Sequence, residues 1–532
     1  MIPSSSRCKS YISKSSRFHV VKTLNAFFRT DTHKWDKNKD SFKGCTRRMP
    51  VCPSDPCFLD PGRPQPRVVI IGAGMAGLSA AQRLTYCGLT NFVVLEGTDR
   101  PGGRIHSCWF GDVVGELGAQ WISGGSSANP IFTLAAVEGL LKRPLPIRND
   151  MGSKMLVLTS DGRAIETSVS GTGYTLFSKI KNDAFSLFSI DTEKGHGTLK
   201  NFMNRKMKEV LSTVDDSLRY DMARILSGLT NTIKTRWGEE LCLMSADNFG
   251  SFLKSPGAPV RVPLGYVGVL GPILRDIPKG TIKYCQEVKS ILWDKGSPRA
   301  SVKTVGGTDY PADYVLVTVP LGVLKNSMDE MFNPPLPQEK QEAIEKLGFG
   351  HLNRLIVEYS RAFWAPGEGM MLLAWTGAEM ESEKSWATGM SIIEEMPGSR
   401  NMLMTTVAGH QAVSMESCSE DDIAEEFTNV LRRFTGDSSL PYPINVTRSK
   451  WSSDRFFRGA GTYMGVDSTV HQQCDLGAPA NDACKGGPPI LLFAGEASAP
   501  GLYSTVQGAR LSGVREADRI IKLTHKFRGP PR

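Results

Sequence analysis

Long apolar runs, regularly spaced cysteines and a basic or acidic excess in the body of the chain are all lacking in these 532 residues, and each lack removes a class of function. The longest stretch of apolar or small residues, 68–81, stops at Gln82 after 14 residues and contains three glycines. That is well short of the roughly 20 residues that span a bilayer, so no membrane helix is expected. Eleven cysteines, an odd number without paired CxxC spacing, fit neither a secreted disulfide framework nor a zinc site and read as mostly free thiols in a reducing compartment. Asn445-Val446-Thr447 matches a glycosylation acceptor, but without a secretory signal it reads as a chance match. Residues 1–66 hold 13 Lys or Arg against 5 Asp or Glu, whereas residues 67–532 hold 50 against 49. The body is close to neutral and lacks the clustered basic field that binds a phosphate backbone, so nucleic acid is not an expected partner. Repeats of fixed period, coiled-coil heptads, metal-ligand spacing and a nucleophile triad are also missing, so no metal site is expected.

What remains is globular: 40% hydrophobic and 22% charged residues, in a chain long enough for two to four domains of about 100 to 200 residues. Residues 1–66 read as a disordered basic leader. Arg7, Lys9, Lys14, Arg17, Lys22 and Arg29, interleaved with Ser and without an acidic residue in the first 30, suit a mitochondrial transit peptide; an untargeted tail on a cytoplasmic protein is the alternative. From Arg67 the pattern changes to Val68-Val69-Ile70-Ile71, a β-branched run that predicts a buried parallel strand. Helical spacing follows over about 175–255, and strand-like runs occupy 302–304, 314–319, 352–359, 402–407 and 490–494.

The chemistry starts at Gly72-Ala73-Gly74-Met75-Ala76-Gly77. This GxGxxG lies directly after a strand, opens a predicted helix over 78–87, and is followed by a second strand, Phe92-Val93-Val94-Leu95, ending in Glu96. Glycines let the backbone and a helix N-terminus approach a pyrophosphate, while the carboxylate takes two ribose hydroxyls. Arg100-Pro101-Gly102-Gly103-Arg104 adds a second glycine pair and a cation beside the phosphates, which points to FAD rather than a nicotinamide cofactor.

At this point the chain resembles the flavin-containing amine oxidases, closest to polyamine and spermine oxidases, over most of residues 67–525. Glu116-Leu117-Gly118-Ala119-Gln120-Trp121-Ile122 is similar to the family segment beneath the isoalloxazine, and Asn129-Pro130 fits the helix start after it. Residues 314–324 are similar to the strand whose end touches the dinucleotide, with Glu287-Val288 before it, where Val288 implies a backbone contact to adenine. Trp451, followed by Arg458-Gly459, matches the tryptophan beside the flavin ring. The closing segment carries Gly495-Glu496 on the ribityl, Ser504, and Thr505-Val506 at the pyrimidine edge. A last helix over 513–523 is expected to aim its N-terminus at the flavin. The resemblance implies an α/β fold: a discontinuous Rossmann-like FAD-binding domain from 67–150, 260–330 and 440–525, a mixed α+β substrate domain from 151–259 and 331–439, and a tail over 526–532.

For activity it implies oxidation of an amine C–N bond by hydride transfer to flavin N5, with O2 reduced to H2O2 and polyamines as first substrates. The substrate half departs from the family pattern. Arg354 stands in place of the lysine that holds a water at N5, Ser123 follows the Trp-Ile pair where a histidine or acid is usual, Gly461 and Leu502 replace the aromatic walls, and Gln507 replaces a histidine. Two readings follow. Either Tyr463, Tyr503 and Trp451 supply new aromatic faces, with Arg354 organising the water and Ser123 in the site, or the chain keeps FAD as a binding protein with little oxidase activity. Histone demethylation is disfavoured because no long helical insertion is visible, and an amino-acid oxidase needs an arginine on the substrate carboxylate, a role open to Arg354.

Overall fold

The computed structural model describes residues 57–59, 62, 64–111, 113–141, 155–189, 194–293, 298–365, 370–480 and 488–527. The chain divides into two compact units, residues 1–50 and 51–532, and every described residue belongs to the second. The transit-peptide residues, and the tail from 528 on, lie outside the described residues.

A five-stranded parallel sheet orders Leu491–Phe493, Tyr314–Val317, Val68–Ile71, Phe92–Leu95 and Ile282–Lys283 side by side. Val68–Ile71 is buried at every position, as a central strand covered on both faces must be. Its start is fixed by Arg67, whose backbone N–H and guanidinium both bond Asp313 just ahead of the neighbouring strand. The leader ends earlier than residue 66. Leu59 is buried and its N–H bonds the Cys87 carbonyl, while the Gln65 side chain bonds Gly88, Thr90 and Asn91. The Pro-rich composition suggested disorder there, but these residues find carbonyl and amide partners at the end of the first helix, Met75–Tyr86.

A seven-stranded mixed sheet runs in the order Asn445–Arg448, Leu352–Glu358, Met402–Ala408, Met390–Glu395, Met371–Ala374, Leu156–Thr159, Ala164–Ile165. Asn445–Arg448, assigned from sequence to the dinucleotide-binding segment, pairs instead with Leu352–Glu358. The predicted helical region resolves into Thr167–Ser186, Leu199–Leu211 and Asp216–Trp237. The last of these ends at Gly238 in the left-handed conformation, the usual glycine stop.

The two ends of the described chain meet at the five-stranded sheet. The final helix, Val506–Phe527, lies against Met75–Tyr86 so closely that a methyl at Gly513 would stand 2.1 Å from the Ala76 carbonyl oxygen. This helix starts at Val506, so Gly513 sits two turns inside it and is not the N-terminus that sequence placed there. No helix among the described residues is long and apolar enough to cross a membrane.

Candidate functional site

One cavity of about 590 Å³ runs from the Gly72 turn to the seven-stranded sheet, within the size range of ligand sites. Gly72, Gly102, Gly103 and Gly495 border it with φ of 104°, 105°, 58° and 136°, conformations that side-chain-bearing residues rarely adopt. The Gly102 N–H bonds the Ala73 carbonyl at 2.8 Å, so the two glycine clusters form a single floor. The helix Met75–Tyr86 starts at Gly74 with no side-chain cap, leaving its first N–H groups for an anion.

These features fit FAD. A methyl built on Gly74 or Gly495, both in the lining, would meet nothing within 4 Å. The chain keeps those faces bare toward an elongated space floored by donor groups. Gly77 serves differently: it is outside the lining, and its Cβ would stand 2.0 Å from the Gly72 carbonyl oxygen, so glycine here lets the helix close on the strand.

Acidic groups anchor the loops along the cavity. Glu96 accepts from the N–H of Ala73 at 2.7 Å and from the N–H and hydroxyl of Thr98. Those bonds place its buried carboxylate at the second strand's end, with acceptor capacity left toward the cavity. Glu496 takes Arg104 at 2.9 Å, the Thr462 hydroxyl and the Ser504 N–H. Arg104 thereby braces the closing segment and also bonds the Ala460 carbonyl. Of the residues expected from sequence to contact the cofactor, Met75, Ala76, Gly118, Ala119, Val288, Ser504, Thr505 and Val506 border the cavity.

At the other end the strand Leu352–Glu358 sets the site by alternation. Asn353, Leu355 and Val357 are buried on one face, while Arg354, opposite Thr406 in register, points into the cavity. Arg354 Nη2 donates to Gln120 Oε1 at 2.9 Å and its Nε has no protein partner. Desolvation pulls its pKa down to about 10, partly offset by Glu394. Its side chain keeps some accessible surface because it faces the cavity, although protein surrounds it. Glu116 near it is pushed up to about 7 by burial, despite accepting from the Tyr266 N–H and the Ser107 hydroxyl. Trp451 is buried, with its indole N–H on the Leu117 carbonyl at 2.9 Å and Phe457 edge-on against it.

Besides Gly77, four expected residues fall outside the lining. Tyr503 turns away into an aromatic cluster with Trp237 and Phe252, its hydroxyl 3.1 Å from Ser251 Oγ. Tyr463 packs flat against Gly348 in a paired strand. Ser123 offers only its carbonyl, to the Asn129 side chain, and Trp121 lies outward beneath the Arg261 guanidinium. Beside Tyr503, Ser504 borders the cavity, and Tyr463 lies two residues along its strand from Gly461, which also borders it. Sequence reasoning missed Arg236 and Trp237, which line the cavity from the end of Asp216–Trp237. Arg-Trp before a glycine stop carries no local signal of this, since only the packing of that helix brings its end there.

Comparison with known proteins agrees with this geometry. The family model for flavin containing amine oxidoreductase matches residues 75–521. Peroxisomal N(1)-acetyl-spermine/spermidine oxidase of Bos taurus is 35% identical over 496 residues, covering 87% of this chain and 96% of that protein. Its Homo sapiens counterpart is 34% identical over 491 residues, covering 86% and 95%. A solved putrescine oxidase superposes with a TM-score of 0.62 at 19% identity, over 86% of this chain and 99% of that one, a likeness of fold. FAD is the cofactor, and the reactants are a small-molecule amine and O2. The chain belongs to the flavin-containing amine oxidoreductase family and is an FAD-dependent oxidoreductase acting on CH–NH groups.

Proposed function

We propose that this chain oxidises an amine held between Trp451, Arg354 and Gln120, with polyamines (spermine, spermidine or their acetylated forms) as the substrate class. The bovine and human relatives are named for such compounds. The observation that carries the reading is one continuous cavity from the Gly72 turn to Arg354. FAD, when bound, supplies the two-electron acceptor, and O2 restores it.

The chain's own residues bind, orient and exclude water. Peptide N–H groups of the two glycine turns and the uncapped helix start would hold the pyrophosphate. Trp451, with its N–H already committed to Leu117, is a fixed aromatic wall that keeps bulk water from the amine. Arg354 is anchored through the bond from Nη2 to Gln120, with its Nε buried and unpartnered; a guanidinium serves as donor but not as base.

One observation favours a second reading of the substrate. The described lining holds Arg354 and Arg236 together with four carboxylates, of which Glu96, Glu287 and Glu496 are already bonded by the Ala73 N–H, Arg455 and Arg104. A cation such as Arg354 beside the amine disfavours a polycation and suits an amine that also carries an acidic group. Anaerobic mixing of the holoprotein with spermine, spermidine, their acetylated forms, monoamines and amino acids, watched by flavin absorbance, decides. Bleaching by polyamines supports the first reading and bleaching by amino acids alone supports the second. If dithionite bleaches the flavin and no amine does, the chain is an FAD-retaining binding protein and the proposal fails. We assign the protein to the cytoplasm, or to mitochondria if residues 1–30 act as a transit peptide; imaging the full chain with and without them tests this, and a peroxisomal pattern, as named for the relatives, would overturn it.

A further inference from the structure

Behind the cavity, on the core face of the strand that carries Arg354, lies a buried carboxylate that the amine site itself does not use. Glu416 ends the helix His410–Glu416 and is buried. Its Oε1 accepts from Asn353 Nδ2 at 2.6 Å and from the Ser452 N–H at 2.8 Å, and its Oε2 accepts from the Ser453 N–H at 2.7 Å. The other end of the Asn353 amide continues the chain of bonds. Asn353 Oδ1 accepts from the Trp451 N–H at 3.1 Å and from Ser449 Oγ at 3.0 Å. Ser449 Oγ in turn accepts from the Arg354 N–H at 2.8 Å.

Glu416, Asn353 and Ser449 are each at most 6% exposed, so water does not substitute for any of these partners. The network touches no lining atom of the cavity except through two residues, Trp451 and Arg354, which it reaches by their backbone N–H groups. It fixes the turn carrying the aromatic wall and the strand carrying the cation to a single carboxylate, and so fixes the separation of the two groups across the amine's place.

We propose that Glu416 is a positioning residue for the amine site: acting through Asn353 and Ser449, it sets Trp451 and Arg354 in register with each other. This rests on the amine-oxidase reading above. An ionised carboxylate accepts all three bonds, whereas the Glu416→Gln amide must turn an NH2 toward one N–H donor and lose that bond. Glu416→Asp keeps both oxygens one methylene short.

The test is made on FAD-loaded protein, with FAD affinity, the flavin visible spectrum and the limiting rate of flavin reduction by the best amine all measured. Glu416→Gln is expected to keep FAD affinity within about 2-fold, since no residue of the network contacts the glycine turns, to shift the flavin spectrum, and to lower the limiting rate about 10- to 100-fold, the scale set by an ångström of misplacement. Glu416→Asp is expected to recover part of both. If Glu416→Gln fails to fold, Ser449→Ala, which frees the Arg354 N–H, carries the same test. A wild-type spectrum and rate, or a rate loss that only follows lost FAD affinity, overturns the proposal. Should no amine reduce the flavin, the spectrum alone decides for Glu416, while the amine-oxidase reading falls separately.

Discussion

Replacing Gly513 by alanine tests the convergence on which the site depends. The added methyl would sit 2.1 Å from the Ala76 carbonyl oxygen, 2.9 Å from its carbon and 3.1 Å from its Cα, whereas real Cβ atoms essentially never come within 3.0 Å of a neighbour. All three obstacles are backbone, so no side chain can swing aside. The final helix and the Met75–Tyr86 helix must part by about 1 Å, a strain that overpacked cores meet at about 1–3 kcal/mol. Parting them moves the GxGxxG turn away from Gly495, which Ser512, the neighbour of Gly513, holds through its hydroxyl. If the bound state must restore the original approach, FAD affinity falls roughly 5- to 150-fold, by the tenfold per 1.4 kcal/mol rule. FAD titration of the apoprotein and thermal unfolding of the same sample measure both effects. The control is Gly171→Ala in the helix Thr167–Ser186, where the methyl meets nothing within 4 Å; it should be neutral or add about 0.4–1 kcal/mol. Wild-type FAD affinity and melting temperature in Gly513→Ala would refute the idea that this helix contact shapes the cofactor groove.

Other consequences are open to measurement. Glu116, raised to about 7, holds its proton in the folded state through a range where the unfolded chain has lost it, so stability should fall as pH rises from about 4.5 to about 7. Glu116→Gln should flatten that slope, worth on the order of 3 kcal/mol by pH 8, and chemical denaturation at several pH values that gives parallel curves would contradict it. Arg354→Met removes a desolvated cation, so its melting temperature should match or exceed wild type while amine-dependent flavin reduction drops at least about tenfold; an unchanged rate would remove Arg354 from the site. Arg354→Lys keeps the charge but loses the Nη2 bond to Gln120, and stopped-flow reoxidation by O2 should change by more than about threefold, equal rates showing that this position does not limit that half-reaction. Tyr503→Phe loses only the bond to Ser251, so it should cost about 1 kcal/mol of stability and leave amine turnover intact; a large loss of turnover would put Tyr503 back in the reaction.

The cofactor half was legible in the chain because its requirements are local. A strand, three glycines, a helix and an acid at fixed spacing state which backbone groups approach a pyrophosphate, and the structure has Gly72, Gly74 and Glu96 on one cavity. The run 352–359 likewise read as a strand, whereas the placing of Asn353 on its core face and Arg354 on its cavity face came from the structure. The amine half was poorly legible because an aromatic residue next to a glycine motif has two faces to choose from. Tyr503 turned into the core and left the cavity side to Ser504, while Tyr463, on the same strand face as Gly461 but two residues further along, buries its ring against Gly348. Arg236 and Glu416 carry no motif at all; long-range packing alone brings the end of one helix to the cavity wall and the end of another beneath Trp451. Local spacing therefore determined which cofactor this protein takes, whereas the side chains that meet the amine were decided by tertiary packing, since a side chain's direction follows from which neighbours can bury it.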